Sequence, residues 1–107
     1  MRFYITERGN LSEVRKFETK GTLQLLLFLA KKGKVKITQI DFHGSKSTMY
    51  HALGVLAELE LIDEERKPPF TRYIQLTGDG EAVAKKLQEI NQILEAKKDR
   101  LKRQART

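Results

Sequence analysis

The chain has 107 residues, no cysteine, and 21 Lys and Arg against 14 Asp and Glu, a formal charge of +7 with a pI near 9.8. Such a length supports one modest core with a peripheral arm or tail, the missing thiols exclude disulfide and thiolate chemistry, and the basic balance favours a polyanionic partner such as nucleic acid. The longest apolar run, residues 25–30, is far short of the ~20 residues that cross a bilayer. No apolar signal segment follows the charged start at Arg2, Glu7 and Arg8, so a cytoplasmic protein without a membrane partner is expected.

Residues 1–18 form an N-terminal arm with two readings. Gly9-Asn10 is a turn signal for a hairpin returning through Val14 and Phe17, whereas Asn10 with Glu13 fits a capping box for a short helix over 11–18. Either way Phe3, Ile5, Val14 and Phe17 are expected to cover a core edge or a subunit contact. The first firm helix is expected over 19–32, capped by Thr19 or Thr22 and stopped by Gly33, with its Leu-rich centre buried on more than one side. Residues 34–37 then alternate as a short strand, 38–42 make a helix of little more than one turn, and His43-Gly44 bends the chain.

The stretch 45–62, SKSTMYHALGVLAELELI, predicts an amphipathic helix. Met49, Ala52, Leu53, Leu56 and Leu59 recur at helical spacing as a core stripe. A second stripe at i, i+3, i+4 and i+7 holds Ser47, Tyr50, His51 and Gly54, hydroxyl, aromatic and imidazole groups in place of the Lys/Glu mixture of a solvated face. After Ile62, Pro68 and Pro69 belong at the tip of a hairpin with strands over 61–66 and 71–77, because proline cannot donate to a ladder. Arg66, Lys67 and Arg72 cluster around that tip.

From Gly80 the sequence is helical. Val83, Leu87, Ile90, Leu94 and Leu101 follow a heptad seam with Lys97 at one skipped position, which predicts a dimerisation helix over 78–107. The basic excess is concentrated at its end: residues 97–107 carry +5, leaving +2 for residues 1–96. This tail either contacts phosphates nonspecifically or is a frayed, solvated end.

In order the elements are helix, short strand, short helix, second helix, hairpin and long helix, and over residues 19–94 the chain resembles winged helix-turn-helix regulators of the MarR/PadR kind. The motifs carrying the resemblance are SKSTMYHALGVLAELELI and YIQLTGDGEAVAKKL; the C-terminal arrangement also resembles small archaeal DNA-binding proteins that pair through a coiled helix. An α+β, mainly α, fold follows, a winged helix-turn-helix over 19–77 with the long dimerisation helix appended. Three departures stand out, the first being that the helix before the turn is short. The family has Gly immediately before the Leu-Ile pair where this chain has Glu60, so the helix is expected to end differently or run into the strand. Gly54 lies mid-helix, at a cost of roughly 1 kcal/mol against Ala, which points to close approach of another backbone or a DNA phosphate.

The resemblance places the start of the second helix, the recognition helix, in the major groove of double-stranded DNA. Ser45, Ser47 and Thr48 can bind phosphates or base acceptors, with Ser45 or Ser47 instead serving as the cap, and Lys46 can neutralise a phosphate or reach guanine. Tyr50 and His51 reach base edges or backbone, and Gly54 admits a close approach. The wing sets Arg66, Lys67 and Arg72 on phosphates or in the minor groove. Lys20, Lys36, Thr38 and Gln39 are secondary phosphate contacts, and Val83, Leu87, Ile90, Leu94 and Leu101 form the interface of a homodimer. The residues carry no nucleophile-base pair, metal-ligand cluster or phosphate-binding glycine loop, so neither catalysis nor a cofactor is expected. His43 and His51 lie outside any zinc pattern, and no signature names a small-molecule effector. A DNA-coating nucleoid protein and a protein-interaction module of the same fold are the competing functions.

Overall fold

The structure is a computed structural model, and it describes residues 11–106. A 3-10 turn, Val14–Glu18, leads into α1 (Thr22–Lys32), β1 (Val35–Lys36), a second 3-10 turn (Ile37–Gln39), α2 (Lys46–Glu58), β2 (Ile62–Lys67), β3 (Thr71–Leu76) and α3 (Gly78–Arg106). The sheet is antiparallel in the order β1-β3-β2. This is the mainly helical α+β arrangement expected, with the long helix last.

In the arm, the helical alternative holds in part: a 3-10 turn replaces both the hairpin and the full helix. Phe17 packs against the core while Val14 is exposed; Phe3, Ile5 and the Gly9-Asn10 turn lie outside the described residues. α1 starts later than expected, and neither threonine caps it. Gly21 occupies the N-cap position with φ 87°, and Thr22 is fully buried in the first turn, its hydroxyl without a described partner. The cause is tertiary. The Phe42 ring is wedged against Gly21 and Gly44, and a Cβ on either glycine would collide with it. Phe42 therefore fastens the bend before α2 to the start of α1.

The expected helix over 38–42 is reduced to the turn Ile37–Gln39. Ile37 opens the turn and is buried, and Ile40, the extended residue that ends it, also packs against the core, so the chain is held short at both ends. Leu25, Leu26 and Leu29 of α1 meet Met49, Ala52, Leu53 and Leu56 of α2, with Leu61, Ile74 and Ala84 closing the core. The core stripe read for α2 is thus the buried one. α1 is buried on one side only, because Leu23 and Leu27 are exposed in the single chain.

The end of α2 corrects the expectation drawn from Glu60. Glu60 takes the left-handed conformation, φ 59°, and the amides of Glu60 and Leu61 donate to the carbonyls of Ala57 (3.0 Å) and Leu56 (2.9 Å). This is a Schellman motif, with its apolar contact supplied by buried Leu61 and Leu56. The helix ends as it would with glycine, because burying Leu61 outweighs the roughly 1–2 kcal/mol cost of a left-handed side-chain residue.

Thr77 ties three elements together. Its amide donates to the Leu61 carbonyl (2.9 Å), its hydroxyl donates to the Glu60 carbonyl (2.9 Å), and its Oγ1 accepts from the Gly80 amide (3.0 Å), capping the start of α3. Gly80 is buried, and a Cβ there would strike the Leu61 carbonyl.

Candidate nucleic-acid interface

The polar stripe of α2 is free. Ser47, Tyr50, His51 and Gly54 are all exposed, as is Lys46, while the opposite face of the helix is core. The cap is Ser45: its Oγ accepts from the Thr48 amide (3.1 Å), and the two hydroxyls are 2.9 Å apart. Ser45 and half-buried Thr48 are thereby engaged in holding the helix start, and Ser47 is the hydroxyl left pointing outward. A side chain added at Gly54 would meet no described atom within 4 Å. Among the described residues no other backbone approaches it, so the position is open to an external surface on that side.

The secondary contacts separate. Thr19 and Lys20 line one concavity with Ser47, Thr48, Tyr50 and His51, so Lys20 joins the recognition stripe. Thr38 sits beside Ser45, Lys46 and Tyr50 in another. Gln39 turns back instead, its Oε1 accepting from the Lys36 amide (3.0 Å). Lys36 pairs in register with Tyr73, and neighbours along a strand alternate faces, so Lys36 lies on the sheet face opposite Arg72.

The wing is divided the same way. Arg66 and Arg72 are directly cross-strand, on the face shared with Glu64 and Ile74. Arg72 grips Glu64 with two bonds, Nε to Oε2 (2.7 Å) and Nη2 to Oε1 (2.9 Å), and Arg66 Nε donates to the same carboxylate (2.9 Å). Hydrogen bonds from Arg72, then Arg66, hold the Glu64 carboxyl down at about 2 from its ordinary 4.5. On the other face Lys67 and Lys34 sit over the Tyr73 ring, 5.4 and 5.2 Å from its centroid, and Lys34 is paired with Glu65. Glu64 and Glu65 thus point to opposite faces.

Glu64 was missed as a functional residue in the sequence, although its signal was there. Glu64 and Arg66 alternate on one strand face, and a three-residue tip brings Arg72 opposite Arg66. The groove between wing and α2 is lined by Tyr50, Leu53, Gly54, Ala57, Ile62, Glu64, Arg72 and Ile74, which puts the wing pair against the recognition stripe.

Along α3, Val83 and Leu87 pack on the chain's own core, whereas Ile90, Leu94 and Leu101 are exposed. Ile93, outside the seam, is 67% exposed. Leu23 and Leu27 of α1 line one groove with Leu87, Ile90 and Leu94, so the apolar surface spans two helices. Among the described residues no helix is long and apolar enough to cross a membrane, and no group of three His, Cys, Asp or Glu is placed to hold a metal ion.

No family model and no curated protein matches the chain. Solved structures do. One is an archaeal protein, reported as a mechanosensitive channel, that is a structural homologue of MarR-like transcriptional regulators. It has 24% identity and a TM-score of 0.68 over 83% of this chain and 80% of that one. Another is the crystal structure of a protein described as a MarR-family transcriptional regulator from Porphyromonas gingivalis W83. It has 22% identity and a TM-score of 0.67 over 86% and 94% of the two chains. The chain has a MarR-like winged-helix fold. In this MarR-like fold α2 is the second helix of the helix-turn-helix and the β2-β3 hairpin is the wing. The helix-turn-helix is completed by a 3-10 turn and Phe42, with no full helix before the bend.

Proposed function

We propose that the chain is a dimeric, double-stranded-DNA-binding transcriptional regulator of the cytoplasm, acting by binding and not by catalysis. The observation that carries this reading is the exposed stripe Ser47, Tyr50, His51 and Gly54, flanked by Lys20 and Lys46, on a helix whose other side is core. In this reading α2 enters the major groove, the Ser45–Thr48 cap holds its first turn, and the wing reaches the backbone or minor groove. The structural neighbours' descriptions as MarR-like regulators agree with it. Pairing through Ile90, Leu94 and Leu101, joined by Leu23 and Leu27, supplies the second half-site reader.

A second reading, a DNA-coating nucleoid protein, is favoured by one observation. Ser45, Thr48, Gln39 and Arg72 are all engaged within the chain, which leaves few free groups for base readout. Anisotropy of a labelled random duplex and of a duplex enriched from a random pool, each at two salt concentrations, separates the two. A regulator binds the enriched site much more tightly, with affinity falling steeply with salt; a coating protein binds both alike. Absence of binding at low salt rejects both and leaves protein interaction. Leu94→Glu gives monomers in sedimentation if the pairing is right, and a dimer that survives it moves the interface elsewhere.

A further inference from the structure

The wing ends in an apolar apex that nothing in the proposed contacts uses. Lys67 and Thr71 are the last paired residues of the ladder, and Pro68, Pro69 and Phe70 close it. Phe70 is 94% exposed, more than any other large hydrophobic residue described. Exposing such a ring forgoes roughly 1.5–3 kcal/mol of burial, and Pro68 and Pro69 stiffen the backbone beneath it. From residue 66 to 72 the sequence is RKPPFTR, three cations with no carboxylate. Arg66, Lys67 and Arg72 line one concavity with the two prolines and Phe70, and Arg72 also lines the groove against α2.

We infer that Phe70 is an apolar wedge that enters a base step in the minor groove of duplex DNA and bends it. This inference rests on the DNA-binding reading. Reach supports it: Phe70 stands two residues beyond Arg72, the outermost wing residue lining the groove against α2, so the hairpin carries the apex roughly 7 Å past that groove, and the exposed ring extends it further. The apex thus points away from a helix seated in the major groove, towards the minor groove about half a helical turn away. Charge supports it as well: Arg66 and Arg72, held by Glu64, and Lys67, over Tyr73, flank the tip and can exchange those partners for phosphates, and Phe and Pro are side chains that unstack base steps.

The test uses a duplex of about 30 base pairs carrying the enriched site, with donor and acceptor dyes at its ends. Wild-type protein should shorten the end-to-end distance by an amount that corresponds to a bend of at least about 20°. Phe70→Ala should abolish most of the bend and weaken binding roughly ten-fold with an unchanged salt slope, because no charge is removed. Phe70→Leu, still a wedge, should keep most of both. The ring is exposed, so these variants fold. An unchanged bend and affinity in Phe70→Ala overturns the wedge and leaves DNA binding intact, whereas wild-type protein that binds no duplex overturns both. A blue shift of Phe70→Trp fluorescence on anionic vesicles, without one on duplex, assigns the apex to membrane and overturns the wedge.

Discussion

The recognition helix and the wing are both polar surfaces beside one core, yet they dispose of their polar groups in opposite ways. On α2 the 3.6-residue period separates core from surface, and the outward side chains Ser47, Tyr50 and His51 are left open. On the wing most charges are paired within the hairpin or with the residue before β1: Glu64 holds Arg66 and Arg72, and Glu65 holds Lys34. A helix whose neighbours are core keeps its outer face for a partner, while diagonal and same-face strand neighbours, within reach of long side chains at about 7–8 Å, satisfy one another first. On the proposed DNA-binding reading, Arg72 would have to exchange a carboxylate for a phosphate.

The largest effect tests the buried side of α2. Leu56→Ala should cost about 3 kcal/mol in urea denaturation, whereas Arg66→Ala on the wing should change stability by no more than about 0.5 kcal/mol; equal losses would erase the contrast. Next comes binding. Tyr50→Ala or His51→Ala should weaken the enriched site about ten-fold and the random duplex far less. Arg72→Ala should lower affinity for all duplexes and reduce the salt slope by about one. Unchanged affinities in all three would remove the recognition surface.

Glu64→Gln sharpens the comparison further, since it releases both arginines: affinity for random duplex should rise while stability falls by at most about 1 kcal/mol, the side chain being partly exposed. The carboxyl is held at about 2 against an ordinary 4.5. Its contribution is therefore full above about pH 4.5 and is lost as pH falls through about 2. Melting curves of wild type and Glu64→Gln should converge across that interval, and a constant gap would deny the pair its role. The smallest effect is expected from Glu60→Gly. Relief of the left-handed conformation slightly exceeds the added freedom of the unfolded glycine, for a gain of about 0.5 kcal/mol in thermal melts.

The helices and the wing were legible because they depend on period and on turn residues. Both stripes of α2 and the Pro68-Pro69 tip are local signals. What escaped was set by contacts distant in sequence. Phe42, packed on Gly21, moved the start of α1 away from its threonines, and Ile37 and Ile40 drew the expected helix into a 3-10 turn. Glu60 was judged by its side chain, although the demand came from Leu61. The exposed stripe of α2 was readable residue by residue from its period, whereas the coupling of Arg66 and Arg72 to Glu64 required the register of the hairpin.

The junction at Thr77 and Gly80 has a consequence for the angle between α2 and α3. It joins the end of α2 to the root of α3, whose 29 residues extend roughly 43 Å. In a dimer paired along α3 this helix is a lever. A rotation of about 10° at its root displaces the far end by roughly 7 Å, about two base pairs of duplex at roughly 3.4 Å each. The close packing of Gly80 on the Leu61 carbonyl, which any Cβ would force apart, sets that angle, so in the proposed dimer the separation of the two reading helices would hang on a single glycine.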